Sequence, residues 1–173
     1  MIRILTMVFV SLILICTACI RDNSEEGTFI LKSGDKLPVF SITLNNGLEV
    51  TNEEFRGKVS LIVFFNTGCP DCRKELPVIQ EVYEYFKEYD DIKVLAISRE
   101  QGYNDVCQYW ASNDLSVPFS AQDERYVYDK FSENGIPLIF IINKNLVIYK
   151  VWKENECPDK YQIICTIESV NDF

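Results

Sequence analysis

Cys69-Pro70-Asp71-Cys72 stands where a strand pattern ends and a helix pattern begins, and this junction constrains the fold more than any other feature of the chain. Upstream, Val59-Ser60-Leu61-Ile62-Val63-Phe64-Phe65 is a nearly unbroken apolar run, the pattern of a strand buried on both faces. Downstream, Glu75, Leu76, Val78, Ile79, Val82, Tyr83 and Phe86 recur at helical spacing. Cys69 therefore falls at a helix N-terminus, where free backbone N–H groups and the macrodipole favour a thiolate. Cys72 is one turn on, at i+3, close enough to close a disulfide with its neighbour. A thiol that ionises readily beside one that can resolve it is the minimum apparatus for disulfide exchange.

Two other uses of the pair stay open on spacing alone. A CxxC can be half of a zinc site, but such a site needs four ligands and a second pair of similar spacing. The one other CxxC, Cys16-Thr17-Ala18-Cys19, lies in the apolar N-terminal stretch, cysteines 107, 157 and 165 supply none, and the chain has no histidine, so no metal is expected. An inert structural staple is the other. With 173 residues and 47% hydrophobic content, the chain can bury the core of one globular domain, expected to act as a monomer. A formal charge of −9, with no basic cluster longer than Arg73-Lys74, disfavours nucleic acid as a partner.

The N-terminus reads as a targeting segment. Arg3 precedes an uncharged, largely apolar stretch from Ile4 to Ile20 that ends among small residues. Thr17-Ala18 ahead of Cys19 resembles the bacterial lipobox, which implies cleavage before Cys19 and lipidation of its thiol. An uncleaved anchor is the alternative, at the short end of what spans a bilayer. Either way the domain is exported and tethered, and each buried CH₂ of an acyl chain adds about 0.8 kcal/mol to membrane attachment. The expected organisation is a signal peptide over 1–18, an acidic tether over 19–34 and a folded domain over 35–173. Asp22, Glu25 and Glu26 resemble the export tag of surface-displayed Gram-negative lipoproteins, placing the protein in a cell envelope. Outside the cytosol disulfides persist. Cys107, beside Val106, Tyr109 and Trp110, and Cys165, beside Ile163, Ile164 and Ile167, read as core thiols, and Cys157 could bridge to Cys165.

Along the domain, alternation through Phe40, Ile42 and Leu44, then Asn45-Asn46-Gly47 and Leu48-Glu49-Val50, predicts a β-hairpin. Thr51-Asn52-Glu53-Glu54 is a capping-box pattern. Strands follow at 59–66, 92–98, 138–142 and 146–152. Helices are expected over 70–88, kinked at Pro77, and over 103–113, 125–133 and 158–170. Helices alternating with buried strands imply an α/β fold, a mixed sheet covered on both faces.

This order, with CxxC after the first core strand and Gly135-Ile136-Pro137 before the penultimate one, resembles the thioredoxin fold. More narrowly, Phe64-Phe65-Asn66-Thr67-Gly68-Cys69-Pro70-Asp71-Cys72-Arg73-Lys74-Glu75-Leu76-Pro77 resembles the TlpA/ResA/CcmG group of membrane-tethered thiol–disulfide oxidoreductases. That group adds an N-terminal β-hairpin and an insertion to the fold. The resemblance implies Cys69 as the exposed nucleophile, Cys72 as the resolving thiol and Glu75 as an acidic residue close to both. It implies a cis peptide before Pro137, with Gly68, Pro70, Asp71, Ile136 and Pro137 forming the surface that meets a client. It also implies no cofactor beyond the Cys69–Cys72 disulfide, protein thiols and disulfides as clients, and a membrane protein as electron donor. Gly68 departs from the aromatic residue usual in this fold before the first cysteine. Asp71 should oppose ionisation of Cys69, while Arg73 and Lys74 favour it. A thiol peroxidase would carry Thr or Ser at Asn66 and Pro at Ile62. A copper carrier would need a histidine, and a client-binding module without catalysis is a third alternative.

Overall fold

The computed structural model describes residues 30–171. The expected signal peptide, Cys19 and most of the tether lie outside them. Within the last part of that tether, Ile30 bridges Ser132, the Leu31 N–H donates to the Phe131 carbonyl (2.8 Å) and the Gly34 N–H to the Ile148 carbonyl (2.8 Å). The chain is thus attached to the domain by residue 30, ahead of the boundary expected at 35.

Five strands form the central sheet: β3 (Val59–Phe65), β4 (Ile92–Ser98), β5 (Phe119–Ser120), β6 (Leu138–Ile142) and β7 (Ile148–Trp152). Their order is β5-β4-β3-β6-β7. β4 runs parallel to β3 and to β5, whereas β6 is antiparallel to β3 and to β7. Ahead of them β1 (Ser41–Thr43) and β2 (Glu49–Thr51) form a separate hairpin, closed by the Gly47 N–H on the Leu44 carbonyl (2.9 Å). Gly47 has φ +83°, as such turns require. The capping box at Thr51 opens a 3-10 turn, Asn52–Phe55.

β3 is the spine. All seven of its residues are buried, which is why the sequence shows a continuous apolar run there. Side chains alternate across a strand, so Phe64 and Phe65 serve opposite faces. Phe64 meets Tyr128, Phe131 and Phe140 at ring separations of 4.8–6.1 Å, while Phe65 packs on Trp110 at 4.9 Å. Three helices complete the domain: α1 (Pro70–Phe86), α2 (Tyr103–Ser112) and α3 (Lys160–Asn171). α1 lies against β4 and α3, and α3 against β3.

Two expectations need correction. The helix expected over 125–133 is only a 3-10 turn, Tyr128–Lys130. Tyr128 and Phe131 there bury their rings against Phe64, so tertiary packing sets the backbone. Cys107 and Cys165 are not core thiols: both are exposed and free, as is Cys157, and no Cys157–Cys165 bridge is present. On α2 the buried residues are Val106 and Trp110, and on α3 they are Ile163, Ile164, Ile167 and Val170. Each cysteine follows a core residue in sequence but turns about 100° away from it on the helix.

Candidate active site

The site lies beyond the C-terminal end of β3, where the chain must turn into α1. Asn66 builds that turn. Its side-chain Oδ1 accepts the Gly68 N–H (2.8 Å) and its carbonyl accepts the Cys69 N–H (3.0 Å). Its Nδ2 donates to the Arg99 carbonyl (3.0 Å), just past the end of the parallel neighbour β4. The Thr67 N–H donates to Gln101 Oε1 (2.8 Å), and Arg73 Nε closes the turn from the helix side on the Thr67 carbonyl.

Cys69 is the N-cap of α1, with extended φ −81° and ψ 123°, and Pro70 follows at the first helical position. The Cys72 N–H donates to Cys69 Sγ at 3.5 Å, so the sulfur occupies the acceptor position that Ser or Asp fills at other helix starts. On its other side, Cys69 Sγ lies 3.7 Å from the Ile136 carbonyl oxygen. The Ile136–Pro137 peptide is cis, and the Tyr128 hydroxyl donates to the Gly135 carbonyl (2.6 Å) immediately before it. Cys69 is half-buried and Cys72 buried, and both are free thiols. Gly68 and Pro70 are exposed and Asp71 half-buried on the same rim, whereas Ile136 and Pro137 are buried beside it. Lys74 Nζ sits 2.8 Å from Asp71 Oδ1, so the one acidic residue between the cysteines is partnered at the surface.

Inside the rim, burial dominates the electrostatics. It pushes the Cys72 thiol far above the usual cysteine range. A backbone hydrogen bond from Asn66 and the charge of Arg99 oppose that push, and hydrogen bonding and charge at Cys69 add to it. Glu75 is only 3% exposed, and burial raises its carboxyl from the ordinary 4.5 to about 7. Its Oε1 makes no hydrogen bond. A carboxyl held near neutrality one helical turn from a buried thiol can take up and return that thiol's proton.

Sequence reading singles out Cys69, Cys72, Glu75, Ile136 and Pro137, and the structure sets Cys69 Sγ beside the Ile136 carbonyl. It overlooks Asn66, Arg99 and Gln101. The available signal was topological, because residues following two adjacent parallel strands converge at one edge of the sheet. Among the described residues, no cluster of three or more His, Cys, Asp or Glu could hold a metal ion.

A model of the AhpC/TSA family matches residues 33–151. The chain belongs to the AhpC/TSA family. Within reach of that family, the thiol-disulfide oxidoreductase ResA of Bacillus subtilis (strain 168) is 25% identical over 142 residues, covering 81% of this chain and 79% of that protein. The crystal structure of a thiol:disulfide interchange protein of the thioredoxin family from Chlorobium tepidum superposes with a TM-score of 0.69 at 19% identity, covering 83% of this chain and 99% of the other. The thioredoxin domain of a thiol-disulfide oxidoreductase from Bacteroides vulgatus gives 0.68 at 24% identity, covering 82% and 99%. These superpositions establish the thioredoxin fold. This AhpC/TSA protein is a thiol–disulfide oxidoreductase.

Gly135 supports the cis-proline loop with φ +86°, and a Cβ there would stand 3.2 Å from Glu154 Oε2. Gly135→Ala is therefore expected to lower stability by about 1–2 kcal/mol, read as a lower urea midpoint at unchanged slope. An unchanged midpoint would mean the loop can relax around the added methyl.

Proposed function

We propose that this chain is a membrane-tethered thiol–disulfide reductase of a cell envelope, acting on protein disulfides through Cys69 and Cys72. The observation that carries this reading is the placement of Cys69. Its half-buried sulfur receives the Cys72 N–H at the start of α1 and faces the Ile136 carbonyl across 3.7 Å. Cys69 attacks one sulfur of a client disulfide and forms a mixed disulfide, releasing the client's other sulfur as a thiolate. Cys72, deprotonated toward Glu75, then attacks Cys69 Sγ. The Cys69–Cys72 bond forms, the Cys69–client bond breaks, and the client leaves as a dithiol. Two electrons pass from protein to client.

The reducing direction is part of this proposal, and it requires a client pair of higher potential than the Cys69–Cys72 pair. Gly68, Pro70 and Asp71 on one side and Ile136-Pro137 on the other form the surface for an extended client strand, with main-chain groups supplying affinity. The Cys69–Cys72 disulfide is the only redox group this cycle requires. Electrons return from a membrane protein dithiol, and a lipid on Cys19 holds the monomeric domain near that donor. Among the described residues no helix is long and apolar enough to cross a membrane.

Cys72→Ser in the full chain, expressed in cells, is expected to accumulate mixed disulfides visible on non-reducing gels, because the second step is blocked. The double variant with Cys69→Ser should show none. Equal adducts in both would move the chemistry to an exposed thiol such as Cys107. Rapid hydrogen-peroxide turnover without adducts would replace this reading with a thiol peroxidase.

A further inference from the structure

Gly68, the residue before Cys69, is exposed and has no side chain, so packing cannot hold the active-site turn at that position. Thr67, one residue earlier, is only 7% exposed, and side chains from outside the turn engage its N–H, its hydroxyl oxygen and its carbonyl. The N–H donates to Gln101 Oε1 (2.8 Å), the hydroxyl oxygen accepts Gln101 Nε2, and the carbonyl accepts Arg73 Nε. One side-chain amide thus grips one residue at two points, across 34 positions of sequence.

This grip continues the central sheet past its last rung. β3 and β4 end side by side at Phe65 and Ser98, and the Arg99 N–H donates to the Phe65 carbonyl (2.7 Å). Two side-chain amides supply the next links: Asn66 Nδ2 reaches the Arg99 carbonyl (3.0 Å), and Gln101 reaches back to Thr67. Gln101 is itself fixed. Its N–H donates to the Gln122 carbonyl (2.8 Å), and its carbonyl accepts the Ser98 hydroxyl (2.6 Å). Ser98 Oγ also accepts the Gln122 N–H (2.7 Å). Gln122 Nε2 donates to Ser120 Oγ (2.8 Å), whose hydroxyl reaches the Thr43 carbonyl in β1 (2.7 Å). Ser98 and Ser120 are fully buried, where such bonds are strong and their loss is costly.

We propose that Gln101 is a positioning residue of disulfide exchange, which holds Cys69 Sγ in line for attack by Cys72. The inference rests on the exchange reading above. Gln101 acts through Thr67, while the Asn66 carbonyl holds the Cys69 N–H (3.0 Å) and the Cys72 N–H reaches the sulfur at 3.5 Å. Resolution of the mixed disulfide is the step that depends on this alignment, because Cys72, Cys69 Sγ and the client sulfur must then lie nearly in a row. In it, Cys72 gives its proton to Glu75 as above and its lone pair forms the Cys69–Cys72 bond. The pair that bonded Cys69 to the client leaves with the client sulfur. Gln101 takes no proton and forms no covalent bond. A groove beside the turn, lined by Thr67, Gln101, Asp105, Gln108, Tyr109 and Ser112, offers Gln101 another role, contact with a client. Both ends of its amide are already committed to Thr67, which argues for holding rather than binding.

The test mixes the reduced full chain with excess oxidised glutathione and quenches samples with acid at intervals. The Cys69 peptide is then read by mass as free thiol, glutathione mixed disulfide or Cys69–Cys72 disulfide, so attack and resolution are followed separately. In Gln101→Ala, attack should stay within about two-fold of wild type, because a free small disulfide can orient itself. The mixed disulfide should decay about ten-fold more slowly and therefore accumulate. Thr67→Val, which loses only the hydroxyl contact, should fall between the two, and it carries the same test if Gln101→Ala does not fold. Gln101→Glu is isosteric: one carboxylate oxygen can accept the Thr67 N–H and the other its hydroxyl proton. It should restore resolution to within about three-fold of wild type. Unchanged decay in both Gln101→Ala and Thr67→Val overturns the proposal, as does a Glu variant no better than Ala. Attack and resolution slowed by the same factor would also overturn it, since the clamp would then support the fold alone. If wild-type Cys69 forms neither disulfide, the exchange reading itself fails.

Discussion

Cys69→Ser is expected to lower disulfide exchange by about a thousand-fold or more while leaving the domain as stable as wild type or slightly more so. The two halves of this expectation come from the same position in the fold. As a nucleophile, serine fails twice: its hydroxyl stays protonated at neutral pH, and oxygen cannot form the mixed disulfide on which the cycle depends. As an N-cap, serine is among the preferred residues, and its hydroxyl can accept the residue 72 N–H that now reaches the sulfur at 3.5 Å. Exchange is measured by reduction of insulin with dithiothreitol as donor, and stability by urea denaturation of the reduced protein. A structural staple would behave differently, since the wild type would lose stability on reduction of its own disulfide and the variant would start from that lower value. Loss of more than about 1 kcal/mol in the variant, relative to reduced wild type, would mean that the sulfur supports the fold rather than the chemistry.

Much of this site was legible in the sequence, and the reason is geometric. β4 and β6 coincide with the apolar runs at 92–98 and 138–142, and β3 ends within one residue of expectation. Buried strands of a doubly covered sheet tolerate almost no polar residue, so their bounds are written in hydrophobicity. Glu75 was legible for a related reason. It falls in the stripe Cys72, Leu76, Ile79 and Val82, all buried on α1, so a helical wheel already turns it inward. What the pattern does not carry is long-range polar geometry. Asn66 reaches the Arg99 carbonyl across 33 residues of chain, and Thr67 reaches Gln101 across 34. No local periodicity records either contact. The exposed cysteines show the converse error, in which sequence adjacency to Val106 or Ile164 was read as shared burial.

Glu75→Gln is expected to make the domain more stable at neutral and higher pH while slowing resolution by Cys72. The sign follows from proton binding. In the unfolded chain the carboxyl titrates near its ordinary 4.5, whereas in the folded domain burial raises it to about 7. Between those values the folded state holds a proton that the unfolded state has lost, so stability falls as pH rises through this window. Above it, the folded state carries the full cost of an ionised carboxylate that is 3% exposed and has one oxygen unpaired. At about 1.4 kcal/mol per pH unit, that cost is about 3 kcal/mol. Glutamine has no such titration, but its amide must also find partners in the same cavity, which offsets part of the gain. The variant should therefore exceed wild type by about 1–3 kcal/mol at about pH 8 and converge with it at about pH 4, as read from urea denaturation at the two pH values. The rate of mixed-disulfide resolution at neutral pH should meanwhile fall by about a hundred-fold, the usual contribution of a placed base. A carboxyl that destabilises the fold where it works, yet sits among apolar side chains one turn from Cys72, is explained by the proton it moves. A variant no more stable than wild type at high pH would show that Glu75 is solvated after all, and the proton would then have to leave Cys72 by another route.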